Sequence, residues 1–207
     1  MAATDPATPS GELRYRLRCI EKLGHSFSGD ESLLDAGCGD GGVARLLLEK
    51  VRGVVAIDVE PWPTWRDGPG LTFQTANAEQ LPFEDASFDV VHSKDSLHHM
   101  ASPERALAEY RRVLKPGGSV LIVEANRYNP IFYTHMTIML GHEHFNRGRF
   151  RELVHAEFPD ARLGAFEAHY VPALNQVPRA QQAIEDGLAR FRPFRPFLSY
   201  NFAVAAR

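Results

Sequence analysis

The sequence predicts an α/β fold, a mainly parallel sheet with helices on both faces, and three observations carry that prediction. Between residues 32 and 124, short apolar runs alternate with stretches of helical periodicity. Each strand candidate is a nearly continuous apolar run, the pattern of a strand covered on both faces. The first of them spills into a glycine turn that opens a helix.

Taken in order, Leu13, Leu17, Ile20 and Leu23 recur at helical spacing and predict an amphipathic helix over Glu12 to Leu23. Ser32 to Ala36 is the first strand, Val43 to Lys50 the helix after its glycine turn, and Gly53 to Asp58 the second strand. Leu71 to Thr75 and Phe88 to Ser93 follow as the third and fourth. Pro103 to Leu114 reads as a helix with proline in its first turn, stopped by Lys115-Pro116-Gly117-Gly118 before a fifth strand at Ser119 to Glu124. After Asn126 the style changes. Residues 127 to 158 read as helical and aromatic, 161 to 170 as a strand, 176 to 192 as a helix running into the proline-rich FRPFRPF, and Leu198 to Ala206 as a last strand. Residues 1 to 10, rich in Ala, Thr and Pro, read as a disordered tail, and 11 to 207 as a single domain.

Bulk composition excludes several classes of function. A formal net charge of -3 over 207 residues lacks the basic excess that phosphate neutralisation requires, so nucleic acid is not an expected partner. No apolar run approaches the ~20 residues of a membrane span, and no apolar targeting core follows the first residues, so the expected location is the cytoplasm, without membrane insertion. Cys19 and Cys38 are too few for a disulfide framework or a cysteine zinc site. Nothing in the sequence predicts the oligomeric state.

Chemistry concentrates in the run Leu33 to Gly42 (LLDAGCGDGG), an apolar strand ending in an acid, Asp35, and opening into glycines that let backbone approach a ligand closely. Gly37, Gly39 and Gly42 also satisfy the dinucleotide pattern G-x-G-x-x-G, which keeps an NAD(P)-dependent oxidoreductase open at this point. Asp58 ends the next strand, about 20 residues beyond the turn, where a carboxylate accepts hydrogen bonds from a ribose diol. It supports a nucleoside ligand without choosing one.

Three segments together, Asp35 to Gly42, Asn77 to Val91 (NAEQLPFEDASFDVV) and Arg112 to Gly118 (RVLKPGG), resemble in order and spacing the class I S-adenosylmethionine (SAM)-dependent methyltransferases, in particular the small-molecule branch of quinone-biosynthesis and natural-product enzymes. The resemblance covers about residues 30 to 125. It implies a seven-stranded Rossmann-like sheet whose last strand runs antiparallel, and SAM as cofactor. By position it sets Gly37 to Gly39 against the methionine part, with Asp35 nearby, Asp58 on the ribose hydroxyls, Asn77 and the Ala78 amide on the adenine edge, and the backbone at Ser93 and Lys94 near the methionine amino end. One departure stands out. Asn77 occupies a position where such enzymes commonly carry Asp, and its carbonyl still accepts a hydrogen bond but brings no negative charge. Trp62 and Trp65 are candidates to flank the adenine or to pack as ordinary apolar residues.

His98 and His99 follow the fourth strand, at the carboxyl edge where ligands of such sheets bind, and are the candidate catalytic bases. His135, His142, Glu143 and His144 form a second group. Their spacing argues against a metal, because residues two apart on a helix diverge, so Tyr133 and His144 are read as substrate-wall candidates and no metal is assigned. Residues 127 to 150 and 171 to 197 are expected to cap the acceptor pocket. The resulting expectation is methyl transfer from SAM to an O or N atom of a small metabolite. An NAD(P)-dependent oxidoreductase lacks a visible Tyr-Lys pair for hydride chemistry, and a non-catalytic partner subunit of the same fold is disfavoured by the intact ligand motifs.

Overall fold

A seven-stranded sheet in the order β3-β2-β1-β4-β5-β7-β6 organises the chain. A computed structural model describes residues 11–130, 133, 144–168 and 177–207. The elements in chain order are α1 (Gly11–Lys22), β1 (Ser32–Ala36), α2 (Gly42–Leu48), β2 (Gly53–Asp58), β3 (Leu71–Thr75), β4 (Phe88–Lys94), α3 (Pro103–Val113), β5 (Leu114–Ala125), α4 (Arg147–Glu157), β6 (Arg162–Phe166), α5 (Pro178–Arg190) and β7 (Tyr200–Ala206). Strands β1 to β5 are parallel, whereas β7 runs antiparallel between β5 and β6. The expected architecture is the observed one.

Alternation along the strands divides the core into two layers. Leu34, Ala36, Val91, Val120 and Ile122 pack with α3 and α4 on one face. Leu33, Val54, Val90, Leu121 and Val123 pack with α1 and α2 on the other. Local signals account for the helices: Ala106, Leu107, Tyr110 and Val113 give α3 its buried stripe, and Ser102 caps it ahead of Pro103 by accepting from the Arg105 amide. Asn146 caps α4 in the same way, accepting from the Arg149 amide at 2.9 Å.

Most boundaries agree within two residues, and the larger departures have local causes. Lys115 to Gly118 stops α3 as expected but already belongs to β5, which begins at Leu114; the pairing with β4 shifts between Phe88 and Val90 to absorb the extra residues. FRPFRPF forms its own 3-10 turn, Arg192–Phe197, because its prolines remove the amide donors an α-helix needs. β6 is shorter than the run suggested, and within 127 to 158 a described helix occupies Arg147–Glu157, while residues 131, 132 and 134–143 lie outside the described residues. The expectations for residues 1 to 10, His135, His142 and Glu143, and part of both cap segments, lie outside the described residues. Among the described residues, no helix is long and apolar enough to cross a membrane.

The chain leaves β1 in one direction through β2 and β3 and returns on its other side as β4. Such a reversal opens a crevice at the carboxyl ends of the two central strands, which is where the candidate site lies.

Candidate functional site

A cavity of about 730 Å³ lies at the carboxyl ends of β1, β2 and β4, with α1 forming part of its wall. That volume suits a nucleoside-sized ligand with room for a small acceptor. Its floor is the glycine turn. Gly37 sits at φ +76°, and a Cβ there would lie 2.3 Å from the Ser96 Cβ, so glycine is required both by backbone conformation and by the loop after β4. Gly39, at φ +51°, has nothing within 4 Å of where a Cβ would project. The turn is tied down by the Gly37 and Cys38 amides, both donating to the Ile57 carbonyl at 2.9 Å.

Asp35 and Asp58 are among the carboxylates that line this cavity. Asp35 is 2% exposed, and its Oδ1 pairs with His92 Nδ1 at 2.7 Å. Its Oδ2 is buried with no hydrogen-bond partner among the described residues. Asp58 accepts from the Gly39 amide through Oδ2 and from the Val59 amide through Oδ1, each at 2.8 Å, which aims the carboxylate along the turn and leaves lone pairs on both oxygens. Asn77 and Ala78 also line the cavity, and the Asn77 carbonyl accepts from the Glu79 amide at 2.9 Å. The two tryptophans divide their roles. Trp65 stacks on Phe73 and donates to the Gly39 carbonyl at 2.8 Å, whereas Trp62 lines the cavity with about half its surface exposed.

α1 contributes residues that the sequence did not mark. Arg16 reaches both oxygens of Asp40 at 2.9 Å, and Asp40 accepts from the Gly42 amide at the start of α2. Hydrogen bonding from Arg16, reinforced by the Gly42 amide, holds the Asp40 carboxyl below its ordinary range despite partial burial. Tyr15 meets the Tyr200 hydroxyl, and Lys94 Nζ lies 5.6 Å and 4.9 Å from the centres of those two rings while pairing with Asp95. Burial works against the Lys94 ammonium, but Asp95 and the surrounding groups raise it well above the usual lysine range. Burial pushes the Tyr15 phenol up as well, so both keep their protons at neutral pH. Cys38 behaves likewise: burial, then the charges of Asp35 and Asp58, drive its thiol far up.

Strand alternation sorts the remaining candidates. His92 and Lys94 lie on the cavity side of β4, but Ser93 is fully buried on the other face, its hydroxyl against Ser96 Oγ at 2.7 Å. The structure therefore brings Asp35, Gly37, Gly39, Asp58, Asn77, Ala78 and Lys94 together and leaves the Ser93 side chain outside. Of the two histidines after β4, His99 lines the cavity. His98 instead points into the protein, with Nδ1 at 2.7 Å from Glu124 Oε2 and its ring 4.2 Å from that of buried His144. Tyr133 is 41% exposed and does not line the described cavity. His92 carried one sequence signal, a histidine inside an apolar strand, whereas Tyr15, Arg16 and Glu124 are positioned by contacts that no spacing reveals.

Residues 34–122 match a family model described as a methyltransferase domain. The chain is 33% identical over 137 residues to an uncharacterized methyltransferase of Synechocystis sp., covering 63% of this chain and 64% of that protein. Over 57 residues it is 49% identical to a ubiquinone/menaquinone biosynthesis C-methyltransferase of Bordetella avium, covering 28% of this chain and 22% of the relative. The chain thus spans less than two thirds of the length of these curated relatives. A SAM-dependent methyltransferase from Archaeoglobus fulgidus has the same fold, with a TM-score of 0.69 at 17% identity over 96% of this chain and 95% of that one.

Proposed function

From the match of residues 34–122 to a methyltransferase domain, we propose that the protein is a class I SAM-dependent methyltransferase that transfers a methyl group from SAM to an O or N atom of a small metabolite. One observation carries the cofactor assignment: the Asp35 carboxylate oxygen buried at the cavity with no hydrogen-bond partner among the described residues. A buried carboxylate oxygen in that position is costly unless a ligand donor or cation meets it, and a sulfonium ligand with an ammonium group suits it. Asp58, with lone pairs to spare, would take the ribose diol, and Asn77 with the Ala78 amide would meet the adenine edge.

When bound, SAM supplies a methyl group already activated by its sulfonium. The chain's own task is then to align the acceptor, exclude water and, where the acceptor is protonated, receive one proton. His99 is the histidine placed to do so, because it lines the cavity, whereas His98 is held by Glu124 behind it. Residues 127–150 and 171–197 would cap the acceptor, with Tyr133 and His144 as its more distant supports, in a single domain over residues 11–207.

The competing dinucleotide reading is disfavoured by Asp40. In that reading a pyrophosphate sits on the first amides of the helix after the glycine turn. Here the Asp40 carboxylate already accepts from the Gly42 amide and would repel a phosphate. Calorimetry of the full chain with SAM, S-adenosylhomocysteine and NADH tests the assignment. Micromolar binding of the first two and none of NADH supports it, and the reverse order overturns it.

A further inference from the structure

We propose that His98, Glu124 and His144 form a binding site for a divalent late-transition metal ion of the zinc class, separate from the cofactor cavity. One ligand atom from each of the three lies within 4.8 Å of the others. All three side chains are buried: His98 and Glu124 at 2% and 0% exposure and His144 at 4%. Neither His98, Glu124 nor His144 lines the cavity described above.

The chemistry of the donor set selects the ligand. Two imidazole nitrogens and a carboxylate oxygen make a borderline set that suits Zn²⁺, Co²⁺ or Ni²⁺ and is too nitrogen-rich for Mg²⁺ or Ca²⁺. The Glu124 carboxylate is oriented from behind. Its Oε1 accepts from the Ser96 and Leu97 amides at 3.0 and 2.8 Å, which leaves Oε2 turned toward His98. Such outer contacts orient a metal-binding carboxylate before the ion arrives.

A second, independent observation points to a ligand. His98 Nδ1 is engaged by Glu124, but Nε2 is buried with no hydrogen-bond partner among the described residues. A buried ring nitrogen in that position lacks the partner that native proteins almost always supply. The rings of His98 and His144 are inclined at 55° with centres 4.2 Å apart, which puts both imidazoles at the same buried point of the fold. A tetrahedral ion with ligand bonds of ~2.0–2.1 Å needs donor atoms roughly 3.3 Å apart, so separations of up to 4.8 Å must contract by up to ~1.5 Å and the His98 Nδ1–Glu124 Oε2 hydrogen bond must open when Nε2 takes the ion. Three separate parts of the chain, the turn after β4, the end of β5 and the segment leading into α4, would be fastened by one ion.

The test uses the full chain stripped of metal with a chelator and titrated with Co²⁺. One equivalent binds, with visible absorption bands typical of a four-coordinate site, and Zn²⁺ abolishes the bands by displacement. His144→Ala weakens Co²⁺ binding at least tenfold, while its SAM affinity, measured in the same sample, stays within twofold of wild type and reports that the fold is intact. His25→Ala and His155→Ala leave Co²⁺ binding unchanged. A measurement without variants reads the same question: in imidazole nitrogen NMR of the wild type, Zn²⁺ moves the His98 and His144 resonances first. Absence of a one-equivalent site, retention of Co²⁺ binding in folded His144→Ala, or resonance changes confined to other histidines would overturn the proposal.

Discussion

His92 Nδ1 and Asp35 Oδ1 lie 2.7 Å apart on neighbouring strands, directly opposite in register and almost wholly buried. The pair joins β1 to β4 at the point where both strands end against the cavity. Its histidine steadies the Asp35 carboxylate, so the free oxygen keeps one direction. Asp35→Ala leaves the buried His92 Nδ1 without its partner, and an unsatisfied buried polar group costs about 1–3 kcal/mol. Urea unfolding followed by circular dichroism gives the stability loss, and calorimetry on the folded fraction gives a drop in SAM affinity of more than tenfold. A loss below about 1 kcal/mol would reduce the pair to an incidental contact.

The glycine turn and Asp58 should act as one unit, since the Gly39 amide donates to the Asp58 carboxylate. Gly39→Val fills the open space beside the turn, and Asp58→Ala removes both the diol acceptor and the support of the turn. Each is expected to lower SAM affinity at least tenfold by calorimetry, about 1.4 kcal/mol or more. Unchanged affinity in both variants would move the cofactor elsewhere.

Acceptor recognition should separate from cofactor binding. His99→Ala should reduce kcat for the true acceptor by about 10²-fold, the lower end for a lost acid–base group, with SAM affinity nearly intact. His98→Ala, His144→Ala and Tyr133→Ala should have smaller effects on turnover, because none of the three side chains lines the described cavity. Wild-type turnover in all four variants would place the acceptor pocket away from the loop after β4.

Acid sensitivity has an identifiable source at the opposite end of the sheet. Asp89 receives Lys115 at 2.8 and 2.9 Å and the Ser32 amide at 2.9 Å. Burial alone would raise its carboxyl, but Lys115 and Ser32 outweigh it and bring the pKa from 3.8 down to about 2. A pKa depressed by folding stabilises the native state above the unfolded value and loses that contribution as pH falls from 3.8 toward about 2. Lys115→Met should therefore lower Tm at pH 6 by about 2 °C, the scale of a partly exposed pair worth at most about 1 kcal/mol. The difference from wild type should vanish below pH 2. A gap that persists there would assign the effect to packing of the lysine stem.

Local patterns carried most of the fold. β1, β2, β3 and the apolar part of β5 were legible because alternating helices and apolar runs leave few topologies, and the cofactor turn was legible because its glycines and acids are close in sequence. What escaped was non-local. Arg16 and Asp40 are 24 positions apart, and His98 and Glu124 are 26 apart. The histidine spacing that argued against a metal concerned neighbours on one segment, whereas the structure brings His144 to His98 and Glu124 on other elements. The composition of Lys115 to Gly118 marks a turn, yet its backbone extends β5 through the shifted pairing with β4.

The position of β7 gives the sheet a temporal order as the polypeptide leaves the ribosome. Strands β1 to β5 can close against one another in sequence, but among the described residues β6 pairs with β7 alone, and residues 162–166 are made well before residues 200–206. Until β7 arrives, β5 presents an open margin of unused amides and carbonyls along Ser119 to Ala125, the register that β7 later occupies. Nascent chains stalled before residue 200 therefore expose a sticky border for which chaperones compete with neighbouring chains. Emergence of β7 seals that border and recruits β6 in one step.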